Sequence, residues 1–188
     1  MRILSIGNSF SQDAQRYLNK IAERDSVDIQ TVNLFIGGCS LETHHANLIN
    51  NAPNYELEIN GMSVGQKVSV CDMLKSDVWD YITLQQASKL STNFDTYLPH
   101  IKVIADYIKN HCKKAKILIH QTWAYEEGSD KLHNDAGYKT SEGMLSDICK
   151  AYDNAFKTIK ADGIIPCGRA MTELSKNHNV KAYRDGLL

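Results

Sequence analysis

Ser9 stands in the run Gly7-Asn8-Ser9-Phe10-Ser11, directly after an apolar stretch and directly before a helical one. A glycine there permits a tight strand-to-helix turn, and the first turn of a helix favours negative charge developing beside it. Residue type and position both suit a nucleophile. The same serines have a plainer use, because Ser9 or Ser11 could simply cap the helix. A dinucleotide-binding turn is a third use, but the chain has no Gly-x-Gly-x-x-Gly.

The other chemistry-bearing residues fall just after apolar runs: Gly37-Gly38-Cys39, Gln85-Gln86, His120-Gln121-Thr122-Trp123 and Cys167-Gly168. Trp123 and Tyr125 could wall a sugar-stacking surface or pack in the core. Asp77 and Asp80 flank an apolar run and read as turn residues. His44, His45 and His120 are expected near the cleft, with His44 and His120 as substrate contacts. His100, His111, His133 and His178 read as ordinary surface residues. His44 and His45 lack the i, i+4 spacing of a helical metal pair, and no acid completes a ligand set, so neither metal nor cofactor is expected.

Elements that can present these residues together follow from periodicity. Strands are expected at 2–6, 29–36, 81–84, 116–120 and 163–166. Helices are expected at about 12–24, 41–50, 93–112, 141–160 and 169–177. Ser40 reads as an N-cap, and Asn60-Gly61 marks a hairpin over 55–70 that leaves the main sheet. Strands alternating with helices imply a parallel sheet covered on both faces. Ligands in such folds sit at the carboxyl ends of the strands, where the residues above gather.

The chain has 188 residues, the length of one domain. Its net charge is −1, from 21 basic and 22 acidic side chains, which supplies no field to gather nucleic acid or an anionic membrane. The five cysteines are odd in number and widely spaced, which argues against a disulfide framework. No leader and no run of 18 apolar residues is visible, so a cytoplasmic location is expected.

Gly7-Asn8-Ser9-Phe10, Gly37-Gly38-Cys39-Ser40 and Tyr183-Arg184-Asp185-Gly186 resemble, in order and spacing, the blocks of the SGNH (GDSL-like) serine hydrolases. Tyr81–Ser88 and His120–Tyr125 add to the likeness, which is to an uncharacterised bacterial branch. The resemblance implies a flavodoxin-like α/β/α sandwich with about five parallel strands and a small β-hairpin insertion, as a single domain. It implies a serine esterase, with a carbohydrate deacetylase as one form.

In that scheme Ser9 attacks an acyl carbonyl, and the N–H groups of Ser9 and Gly38 hold the oxyanion with a side-chain amide. That amide is expected from Gln86 rather than Gln85, since the family's Asn is absent. Asn8 replaces the usual Asp of the first block, and Asn8, His44, Gln85, His120 and Trp123 are expected to line the substrate site. Asp185 is the triad acid, but the histidine expected three residues on is Leu188. The resemblance therefore also implies a domain truncated at its end, with exposed apolar surface and a tendency to self-associate. The alternative is an inactive relative that binds an ester or glycan. The expected partner is a small-molecule ester or acylated carbohydrate, not nucleic acid or membrane.

Overall fold

The computed structural model describes residues 1–177 and 182–183. Among them seven strands form one sheet in the order β4-β3-β2-β1-β5-β6-β7. The strands are β1 (Arg2–Gly7), β2 (Gln30–Phe35), β3 (Tyr55–Ile59), β4 (Met62–Val68), β5 (Tyr81–Leu84), β6 (Lys116–His120) and β7 (Gly163–Ile165). Five of them, β2-β1-β5-β6-β7, run parallel, and β3 and β4 are antiparallel.

The hairpin does not stand apart from the sheet. It continues it, with β3 paired to the outer edge of β2 from Val32↔Ile59 to Phe35↔Glu56. Its turn takes positive φ at Asn60 (50°) and Gly61 (77°), as a two-residue hairpin turn requires. β4 is solvent-exposed along most of its length, carries a register shift opposite Glu56/Glu58, and has Gly65 at φ 69°.

The helices are α1 (Ser9–Gln15), α2 (Leu18–Arg24), α3 (Leu41–Ile49), α4 (Val70–Ser76), α5 (His100–His111), α6 (Ser141–Ile159) and α7 (Cys167–Ser175). Alternation along the strands sends successive side chains to opposite faces. Leu4, Ile6, Ile82, Leu84, Ile117 and Ile119 point to one face, where they join Ile101, Ile104 and Ile108 of α5 and Met144, Ile148 and Tyr152 of α6 in the main core. Ile3, Ser5, Tyr81, Thr83, Leu118 and His120 point to the other face. There, with Leu18, Ile165 and Cys167, they line a cavity of about 560 Å³ beneath α1.

The helix expected over 12–24 is two helices. α1 starts at Ser9 and ends at Gln15, and the chain turns at Arg16-Tyr17 before α2. Gly61 packs on that turn so closely that a Cβ would lie 2.6 Å from the Arg16 carbonyl oxygen. The break rotates the apolar stripe, so Tyr17 and Ile21 point into solvent at 58% and 60% exposure.

The expected helix over 93–112 also begins late. A 3₁₀ turn covers Phe94–Tyr97, and α5 starts at His100. Pro99 disfavours helical geometry at the residue before it, and Leu98 is extended (φ −100°, ψ 144°). α4 was not anticipated. Its four-residue spacing of Val70 and Leu74 gives too little periodic signal to separate from the preceding strand, although Ser69 caps it. No described helix is long and apolar enough to cross a membrane.

Candidate active site

β1 carries Ser9 to the carboxyl edge of the sheet, where it is the first residue of α1. Asn8, not a serine, caps the helix, its side chain accepting from the Phe10 N–H at 3.2 Å. Ser11 is spent elsewhere, on the Asn8 carbonyl and on Asn33 Oδ1. Ser9 is thus released from the capping role. It is half-exposed, and its hydroxyl has no hydrogen-bond partner among the described residues.

Next to this turn lies the loop after β2. The Ile36 N–H donates to the Gly7 carbonyl, and Asn8 Nδ2 donates to the Cys39 carbonyl at 3.0 Å. Between these ties Gly37 and Gly38 are exposed, Gly38 has φ 63°, and nothing lies within 4 Å of a Cβ built on it. The Gly38 N–H takes no acceptor among the described residues. Ser40 caps α3 as expected, accepting from the Thr43 N–H at 3.2 Å.

Asn8 is the end of a buried polar chain. Gln85 Nε2 donates to Asn8 Oδ1, and Gln85 Oε1 lies 2.7 Å from His120 Nδ1. The orientation of every group is set by its neighbours. The Phe10 N–H can only donate and the Cys39 carbonyl can only accept, so the Asn8 oxygen and nitrogen are fixed. Gln85 must then turn its nitrogen to Asn8 and its oxygen to His120. His120 Nδ1 therefore carries the proton and Nε2 is bare; Nε2 is buried with no partner among the described residues. Burial pushes the His120 pKa down to about 4, so the ring is neutral near pH 7.

Gln86 corrects the expectation of an oxyanion amide. It is fully buried, and its nitrogen donates to the Thr96 carbonyl (3.0 Å) and hydroxyl (3.2 Å). Its oxygen accepts from the Leu41 and Ala87 N–H groups, each at 2.9 Å. An amide with all its capacity used inside the fold has none left for a substrate. Gln85 is also buried, at 1% exposure, with one N–H spent on Asn8 and its oxygen on His120.

His44 is likewise not at the surface of a cleft. It is 1% exposed, with Nδ1 2.9 Å from the Tyr55 hydroxyl and 3.4 Å from Cys39 Sγ. Burial lowers the His44 pKa to about 3 and raises that of Cys39 to about 12. Both groups are therefore neutral, and a thiolate–imidazolium nucleophile is excluded at this pair.

Trp123 is 3% exposed and meets Phe10 edge-to-face at 4.3 Å, so its indole packs against the protein and does not wall an open cleft. Tyr183 completes that cluster, its hydroxyl donating to the Ala124 carbonyl at 3.2 Å. The chain's last described segment thereby comes to rest against the residue next to Ser9. Asp185 and Leu188 lie outside the described residues, as does His178. Asp77 and Asp80 serve the sheet edge, where Asp77 pairs with the Arg2 guanidinium and Asp80 accepts from the Arg2 N–H.

Sequence reasoning missed the chain from His120 through Gln85 to Asn8. The two glutamines are adjacent and alike in type, and only their partners tell them apart.

The match to known proteins follows this architecture. A family model described as a domain of unknown function, DUF4886, matches residues 2–186. A DUF4886 family protein from Bacteroides uniformis superposes with a TM-score of 0.90 at 32% identity, over 100% of this chain and 75% of that one. A Slackia heliotrinireducens protein provisionally classed as an SGNH hydrolase gives a TM-score of 0.66 at 22% identity, covering 100% of this chain and 89% of that one. An acetyl xylan esterase, AlAXEase, gives 0.58 at 11% identity, covering 98% and 87%. No curated protein matches. The fold is that of the SGNH hydrolases, and within it the chain belongs to the DUF4886 family.

Proposed function

We propose that this protein is a serine ester hydrolase in which Ser9 is the nucleophile. The observation that carries the reading is the pairing of two unspent groups at the carboxyl edge of the sheet. Half-exposed Ser9 keeps its hydroxyl, and exposed Gly38 its N–H, unpartnered among the described residues, while the side chains of Asn8, Ser11 and Gln86 beside them are committed. Ser9 Oγ gives its proton to solvent water as it bonds to the acyl carbon. The carbonyl electrons move onto oxygen, where the Ser9 and Gly38 N–H groups stabilise the charge until the alcohol leaves with a proton from water. Collapse expels the alcohol, and water then releases the acid and regenerates Ser9.

The oxyanion site in this reading has two backbone donors and no side-chain amide, since Gln86 is spent and Gln85 is buried. Asp185 is the acid that would orient a base. Acetylated carbohydrate is the substrate class favoured here, because solved relatives of the fold include acetyl xylan and acetyl-xylooligosaccharide esterases.

A second reading is an inactive ester- or glycan-binding protein, favoured by Leu188 at the position of the family's histidine. Loss of that base from a triad costs on the order of 10⁴–10⁶ in kcat.

Hydrolysis of p-nitrophenyl acetate by this chain and by Ser9→Ala separates the two. Ser9-dependent turnover is expected. Equal rates in both proteins would overturn the esterase reading in favour of binding without turnover.

A further inference from the structure

His45 on α3 and His100 at the start of α5 lie 55 residues apart in sequence, yet their Nδ1 atoms are 3.0 Å from each other. Their ring centroids are 5.3 Å apart and tilted by 54°. Both rings are half-buried between the two helices, so the approach is held by helix packing and has an open side. Two bare Nδ1 lone pairs cannot face each other at that distance without something positive between them. One proton on either ring will serve, and so will a metal ion.

We propose that His45 and His100 form a two-histidine clip for a divalent transition metal. The geometry selects the kind of metal. With metal–nitrogen bonds of about 2.0–2.1 Å, a 3.0 Å separation corresponds to a nitrogen–metal–nitrogen angle of about 95°. That is close to the right angle of square-planar or octahedral coordination and below the tetrahedral value, which favours Ni²⁺ or Cu²⁺ over Zn²⁺. Among the described residues no third histidine, cysteine or acid completes a ligand set, so water fills the remaining positions.

The positive end of α5 opposes a cation at His100, but that is a minor effect beside two coordinate bonds. Binding through both Nδ1 atoms needs both rings as Nε2–H tautomers, so the proton between them moves to an Nε2 and a neutral pair gives up none. It would also fasten α3, whose first residue follows the Gly37–Ser40 loop, to α5. The site uses none of the groups assigned to ester hydrolysis and stands or falls independently of that assignment.

Titration calorimetry of NiCl₂ into the full chain, in a non-chelating buffer, tests this. One equivalent is expected to bind, with a rise in melting temperature. Affinity should fall by about tenfold or more, that is by at least about 1.4 kcal/mol, in His45→Asn and in His100→Asn. It should be unchanged in His111→Asn, which removes a surface histidine elsewhere on α5. Circular dichroism of each variant confirms that the fold is kept. Absence of saturable binding, or equal affinity in all four proteins, would overturn the clip. Tighter binding of Zn²⁺ than of Ni²⁺ would overturn the coordination argument.

Discussion

Asn8 Nδ2 donates to the Cys39 carbonyl at 3.0 Å, and this one bond ties the turn that carries Ser9 to the loop that carries Gly38. The same side chain caps α1 through the Phe10 N–H and accepts from Gln85. Asn8→Ala removes the cap and leaves a buried Gln85 N–H without an acceptor. It should cost about 2–3 kcal/mol of stability by urea denaturation. Any Ser9-dependent turnover should fall through kcat, because the loop loses its register to the nucleophile.

Gly38→Ala separates backbone geometry from packing. The added methyl meets nothing within 4 Å, but φ at 63° is unfavourable for alanine. The expected loss of stability is about 1–2 kcal/mol. If the Gly38 N–H holds the oxyanion, turnover should fall further than stability does. Comparing kcat with the unfolding midpoint checks this.

Gln86→Leu should behave in the opposite way. It strips partners from the buried Leu41 and Ala87 N–H groups and from Thr96. Stability should drop by about 2–5 kcal/mol, while turnover per folded molecule changes little. A large loss of kcat at unchanged stability would restore Gln86 to the oxyanion site.

His44 and His120 make the fold acid-sensitive. Burial lowers their folded-state values to about 3 and about 4, below the usual 6.5 of an unfolded histidine. Between those limits the unfolded chain binds more protons, so stability is fully present above about pH 6.5 and declines as pH falls. At pH 5 the loss should be about 1–2 kcal/mol for each ring. Urea denaturation from pH 7.5 to 5 should show this slope, and it should be shallower in His120→Asn.

The elements read from sequence were those whose signal is local. Ser40 caps α3, Asn60-Gly61 turns the hairpin, and the apolar positions of α6 face the core as their spacing implied. What the sequence concealed depends on distant partners. Arg16-Tyr17 breaks a continuous helical pattern because Gly61, from another element, packs on it. That Ser9 and Gly38 follow the carboxyl ends of β1 and β2 could be read from their order in the chain. Gln85 and Gln86 could not be ranked, since one answers to Asn8 and His120 and the other to Leu41 and Thr96. His100 read as a surface residue because nothing within one turn of it hints at His45.

The two outer strands bear on how copies of this protein meet. β4 presents an exposed edge, but the register shift at Glu56/Glu58, the left-handed Gly65 and Lys67 spoil a flat row of free amides and carbonyls. At the far side β7 offers only Gly163–Ile165 before Pro166, a residue with no N–H to donate. Both margins therefore resist growth of the sheet from one molecule into the next, which protects a chain so rich in parallel strands from fibre formation while it folds.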